Sequence, residues 1–173
     1  MSKFILVTLF LALTFAVAFG QGAPKAGEVG VQGSVVFTNI SGGSAGAVGI
    51  KYLVTEKIGL RAGIGILNQS SAGVSTTLYS LGVGFEYHFA GAGGVSPYVG
   101  AQLSYSGESV SSGGSTPTDF GLAGVLGGEY FFSSNFSVAG EARLGFESAN
   151  TGAVTATSIG TLGFATYLTW YLK

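Results

Sequence analysis

From Glu28 onward, apolar and polar residues alternate with a period of two. They do so in segments of about ten residues, broken by Gly, Ser, Asn and Thr clusters. No stretch carries a helical period, so the pattern predicts β-strands throughout. Eight segments stand out: 28–37, 47–54, 58–67, 78–89, 98–106, 119–131, 136–147 and 158–172.

The apolar residues set the phase of each segment. Val29, Val31, Val35 and Phe37 share one face of the first, and Val48, Ile50, Tyr52 and Val54 one face of the second. Leu60, Ile64, Val83, Phe85, Val99, Leu103, Leu122, Leu126, Val138 and Leu144 continue that face through the middle of the chain. Leu162, Phe164, Leu168, Trp170 and Leu172 complete it in the last. With the phase set this way, every strand charge falls on the other face: Glu28, Lys51, Arg61, Glu86, Asp119, Glu129, Glu141, Arg143 and Glu147. His88, Gln32, Gln102, several serines and many glycines join them.

Two architectures use such strands. A soluble barrel or sandwich turns its apolar face inward and covers the outside with charge. A transmembrane barrel turns the apolar face to lipid and the polar face to the lumen. Composition separates them. Only 9% of residues are charged and mean hydropathy is +0.52, too little charge to solvate an outer surface. A tilted spanning strand needs ~9–11 residues, which the segments match. Their number is even, and closure removes the sheet edges that lipid cannot satisfy. The sequence therefore predicts an all-β fold, an eight-stranded antiparallel transmembrane β-barrel with up-and-down topology, acting as a monomer.

The first twenty residues differ from the rest. Lys3 precedes an apolar stretch over 4–18, which ends in small residues before Gln21. This is the pattern of a secretory signal peptide cleaved after Gly20, or alternatively after Ala18. The stretch is shorter than the ~20 residues of a spanning helix, which argues against a retained anchor. The expected organisation is a cleaved signal over 1–20 and a barrel domain over 21–173. The absence of cysteine excludes a disulfide scaffold, a Cys-ligated metal and a lipoprotein anchor. No basic face is available for nucleic acid.

The connections at 38–46, 68–77, 107–118 and 149–157 are longer than those at 55–57, 90–96 and 133–135. The longer set is expected outside the cell, with the turns and both termini in the periplasm. The longer connections are rich in Ser, Gly and Thr, and read as flexible and solvated. They lack the charged and aromatic residues of an adhesive surface. Tyr52, Phe85, Tyr87, Phe89, Tyr130, Phe136 and Trp170 fall toward the turn ends, as an interfacial girdle would.

The run 124–146 (Gly-Val-Leu-Gly-Gly-Glu-Tyr-Phe-Phe-Ser-Ser-Asn-Phe-Ser-Val-Ala-Gly-Glu-Ala-Arg-Leu-Gly-Phe) resembles the strand–turn–strand signature of the small outer membrane protein beta-barrel family. Pro97-Tyr-Val-Gly-Ala fits the same pattern. The group includes barrels similar to the OmpA transmembrane domain and OmpX. The resemblance implies residence in the outer membrane of a Gram-negative (diderm) bacterium. It also implies outer-membrane lipid as surroundings, and periplasmic chaperones and the barrel-insertion machinery as partners in biogenesis. Members usually end in an aromatic residue, whereas this chain ends Trp170-Tyr171-Leu172-Lys173, with Leu172 in that place.

An eight-stranded barrel is only just wide enough for side chains to fill it. Lys51, Arg61, Glu86, Glu129, Glu141 and Arg143 are the expected lumen ion pairs, and the candidates for a gate. A packed network of them would plug the barrel and leave a structural role. The alternative is a narrow passive, porin-like channel. Six lumen carboxylates (Glu28, Glu86, Asp119, Glu129, Glu141, Glu147) against three cations give its lining a net −3, favouring cations. A surface-binding or adhesin barrel is less favoured. The sequence points to no enzyme: His88 is the only histidine, Glu86 shares its face, and no serine has a specific claim as nucleophile. No ligand cluster supports a metal, and no cofactor or obligate protein partner is expected.

Overall fold

The computed structural model describes residues 25–38, 44–71, 73–90, 94–113 and 116–172, without the side chains of 35–38, 44 and 45. The expected signal peptide, most of the first connection and Lys173 lie outside the described residues.

Eight strands follow one another: β1 (Val29–Thr38), β2 (Ser44–Leu53), β3 (Ile58–Ser71), β4 (Val74–His88), β5 (Val95–Val110), β6 (Thr118–Phe131), β7 (Phe136–Asn150) and β8 (Thr155–Leu172). Each pairs antiparallel with its neighbour, and β1 closes the barrel on β8, from Val29 opposite Leu172 to Thr38 opposite Gly163. Closure hydrogen-bonds both edges, the condition for a sheet in hydrocarbon.

The two faces have opposite environments. Val31, Ile50 and Leu126 are 49%, 54% and 65% exposed, whereas Lys51, Glu86 and Glu129 are 1%, 1% and 0% exposed. A water-soluble fold would invert this arrangement, since each buried aliphatic side chain contributes ~1.5–3 kcal/mol. The soluble-barrel reading therefore fails on burial as well as on composition.

The start of β1 and the end of β8 lie with the three short connections, here called the terminal end. Thr55 and Ser133 set two of them. Thr55 Oγ1 accepts the amides of Lys57 and Ile58 at 3.1 and 3.0 Å, and Ser133 Oγ those of Asn135 and Phe136 at 3.2 and 3.1 Å. Outside the barrel at this end, Tyr130, Phe132, Phe136 and Trp170 form a row with ring centroids 4.7–6.2 Å apart.

At the opposite, loop end the strands run further than the sequence pattern predicts. The 68–77 connection is strand almost throughout, with Ser71 opposite Val74, and β7 and β8 stay paired to Asn150 opposite Thr155. Ser and Thr alternate too weakly in hydropathy to register as strand, yet their backbones complete the ladder. Asn68 Nδ2 donates to Thr77 Oγ1 at 2.8 Å, and Ser70 and Ser75 share a 2.8 Å bond. These segments are paired hairpin extensions rather than the flexible loops expected.

One face assignment also changes. The register slips between Arg143 and Leu144, where Gly163 and then Thr161 are the partners. Leu162 is the extra residue of a β-bulge. It has no partner in the β7 register and is only partly exposed, unlike Phe164 and Leu168 on the outer face, and the phase reverses beyond it, leaving Ile159 exposed. Gly163, with φ +148°, supplies the backbone that a side chain would resist.

Candidate functional site

The lumen-facing charges converge near the terminal end. Lys51 on β2 lies directly across from Arg61 on β3, a like-charge pair that would repel. Glu86 on β4 separates them, with Oε2 2.6 Å from Lys51 Nζ and Oε1 2.9 Å from Arg61 Nη1. Across the lumen, Glu129 on β6 reaches Lys51 Nζ at 2.6 Å. Glu141 on β7 reaches Arg61 Nη1 at 2.7 Å and Arg143 Nε at 2.7 Å. The six groups form one alternating chain: Glu129, Lys51, Glu86, Arg61, Glu141, Arg143.

All six expected lumen residues thus meet in a single network. Its charges cancel three against three, so the net −3 expected for the lining resides in the other three carboxylates. Glu28, Asp119 and Glu147 make no ion pair among the described residues. Burying ions this deeply is tolerated only where each lone pair finds a donor, and hydroxyls complete the shells. Ser137 Oγ and Tyr171 OH donate to Glu129 Oε1 at 2.6 and 2.9 Å. Tyr98 OH donates to Glu141 Oε2 and Tyr167 OH to Glu141 Oε1, each at 3.1 Å. Arg143 in turn donates to the Tyr167 hydroxyl oxygen. The Arg61 guanidinium lies 4.7 Å from the Tyr167 ring centroid, a cation–π contact.

Glycines give these long side chains room. A Cβ at Gly84 would come within 2.9 Å of Arg61 Nε, and one at Gly127 would strike the Tyr98 ring. Tyr98 is fully buried and holds Glu141. Gly127→Ala is therefore expected to destabilise the barrel by ~1–3 kcal/mol through overpacking. A urea unfolding series in lipid reads this directly. Gly128→Ala, where a Cβ meets nothing within 4 Å, should leave the midpoint nearly unchanged.

Sequence reading missed three features. Tyr98, Tyr167 and Tyr171 serve the network from inside. Their parity with Gln102, Ala165 and Thr169 signals this, but tyrosine is easily assigned to the lipid interface. Leu53, Phe131 and Tyr171 form an apolar cluster between the network and the terminal mouth, although Leu53 and Phe131 occupy the polar phase. Ser96 Oγ lies 2.9 Å from His88 Nδ1.

The structure also gathers metal-type ligand atoms that spacing alone does not reveal. Those of Glu86, His88 and Glu129 lie within 4.8 Å of one another. Lys51 Nζ stands among them, 2.6 Å from each carboxylate and 3.4 Å from His88 Nε2. The ammonium occupies the position a metal cation would take.

Beyond the network the lumen opens. A cavity of about 550 Å³ extends toward the loop end, floored by Arg61, Arg143 and Tyr167 and walled by Ser34, Ser80, Ser104 and glycines. Asp119 and Glu147 also line it. The interior is thus a cup with a charged floor.

The comparisons with known proteins agree with this architecture. OprG of Pseudomonas aeruginosa is similar in fold, with a TM-score of 0.51 at 15% identity, covering 86% of this chain and 96% of that one. Two other solved structures also match. Neisserial surface protein A gives 0.48 at 20% identity, with coverage of 82% and 94%, and the N-terminal β-barrel domain of Pseudomonas aeruginosa OprF gives 0.44 at 18%, with 84% and 99%. No curated protein matches. The model of the outer membrane protein beta-barrel domain family matches residues 6–163. The chain belongs to that family, and its place is the Gram-negative outer membrane.

Proposed function

We propose that the protein is a monomeric structural barrel of the outer membrane, with a lumen closed near its terminal, periplasmic end. The observation that supports this is the alternating chain of three carboxylates and three cations spanning from β2, β3 and β4 to β6 and β7. A conducting lining keeps charges hydrated and exchangeable. Here every ion of the network is paired at 2.6–2.9 Å, and Lys51, Glu86 and Glu129 are withdrawn from solvent. Opening would separate several charge pairs at once in a poorly hydrated space, which is costly.

The channel reading keeps one supporting observation, the cavity of about 550 Å³ above the floor. It would require the floor to part. Recording from protein refolded into a planar bilayer separates the two. With insertion shown by protease protection, the closed barrel predicts no discrete conductance steps at any salt concentration. Reproducible steps with cation preference would overturn the structural reading in favour of a pore.

A further inference from the structure

We propose that Ser96 is a nucleophile activated by His88, able to take an acyl or phosphonyl group from small activated esters entering at the terminal mouth. Three observations carry this. Ser96 Oγ lies 2.9 Å from His88 Nδ1, and His88 Nε2 lies 3.0 Å from Glu86 Oε2. Ser96 is half-exposed, unlike the fully buried Ser137 nearby.

The distances settle the tautomer. Glu86 Oε2, a carboxylate oxygen with no proton to give, is closer to Nε2 than Lys51 Nζ is, at 3.0 against 3.4 Å. The Lys51 ammonium is directed to its two carboxylates at 2.6 Å. Nε2 therefore carries the proton and donates to Glu86, which leaves the Nδ1 lone pair to accept the Ser96 hydroxyl. Nucleophile, base and orienting carboxylate then stand in hydrogen-bond sequence, the arrangement that activates a hydroxyl. Tyr98, with its ring centroid 5.1 Å from that of His88, holds the imidazole plane. Glu86 is itself fixed by Lys51 and Arg61, so the base cannot swing away.

The reaction balances within these groups. Ser96 Oγ bonds to the carbonyl carbon while its proton passes to His88 Nδ1. The ester C–O bond breaks, and His88 returns the proton to the leaving alcohol oxygen. Water then releases the acyl group by the same path. With a fluorophosphonate, the Oγ–P bond forms, fluoride leaves and the adduct remains. Ser96 faces Glu129 across the β5–β6 pair, and Phe131 is the next residue on that face toward the mouth.

The test is labelling of the refolded, lipid-inserted barrel with a small alkyl fluorophosphonate, followed by peptide mass spectrometry. The chain's other serines serve as internal controls. Ser96 is expected to carry the adduct well ahead of Ser137 and the loop serines, with no label there in Ser96→Ala. In His88→Gln, shown to be folded by its heat-modifiable gel mobility, labelling should slow by about 100-fold, the scale of a lost general base. If His88→Gln does not fold, the Ser96-to-loop-serine ratio in the wild-type protein decides alone. A rate at Ser96 no greater than at the loop serines, or one unchanged in a folded His88→Gln, overturns the proposal.

Discussion

Lys51→Met is expected to cost ~3–5 kcal/mol of folding free energy, the penalty for leaving a buried charge without its partner. The cost falls unequally on the two carboxylates. Glu86 keeps Arg61 at 2.9 Å, so it stays paired. Glu129 keeps only the hydroxyls of Ser137 and Tyr171 and the more distant His88, at 3.8 Å. It is therefore Glu129 that becomes the orphaned anion. The double variant Lys51→Met/Glu129→Gln removes that anion and should recover most of the loss. Urea unfolding in lipid vesicles, followed by tryptophan fluorescence of Trp170, measures both. Equal destabilisation of the single and double variants would show that the loss comes from packing rather than from unpaired charge.

The unequal cost illustrates how the fold and the site differ in legibility. The period of two and the one-sided placement of strand charges specify a lipid-facing barrel without any contact being known. Each strand repeats the same signal, so a local error such as that at Leu162 does not change the conclusion. A bulge adds one residue without changing composition, and nothing in Thr161-Leu162-Gly163 marks which residue is extra. The hairpin extensions were hidden for a related reason. Ser and Thr on both faces of 68–77 satisfy a ladder exposed to water as well as a loop, and only the register tells them apart.

The ion network was legible as a list of residues, not as a circuit. Parity places Lys51, Arg61, Glu86, Glu129, Glu141 and Arg143 in the lumen. Which carboxylate bridges which cations depends on barrel stagger. Glu86 serves both Lys51 and Arg61, and Glu141 both Arg61 and Arg143. That sharing links three carboxylates and three cations into one neutral floor, below a lining that keeps Asp119 and Glu147. The Ser96–His88 contact is similarly invisible, because the two lie eight positions apart in the chain and only the pairing of β5 beside β4 brings them together.

Val83→Arg is expected to destabilise the inserted barrel by ~2–4 kcal/mol, the depth-dependent cost of a cation on the lipid face near the midplane. Val83 sits mid-wall, between Ala62 on β3 and Leu103 on β5, and is 46% exposed on the outer face. A guanidinium there has no partner in hydrocarbon, and its stem must stretch toward an interface. The control must test the opposite face without touching the network. Gly84, next in sequence and lumen-facing, is unsuitable, because a Cβ there meets Arg61 Nε at 2.9 Å and would disturb the ion chain. Gly82 faces the open part of the lumen, where a Cβ comes no closer than 3.4 Å, to the Gln102 amide. Gly82→Ser places a hydroxyl against that polar neighbour and should change stability by well under 1 kcal/mol, as in other surface-like substitutions. Folding titrations of both variants into vesicles give the comparison. A large loss for Val83→Arg beside a small one for Gly82→Ser fixes lipid on the apolar face. Equal tolerance would mean that the outer face meets water, and the membrane-spanning assignment would fall with it.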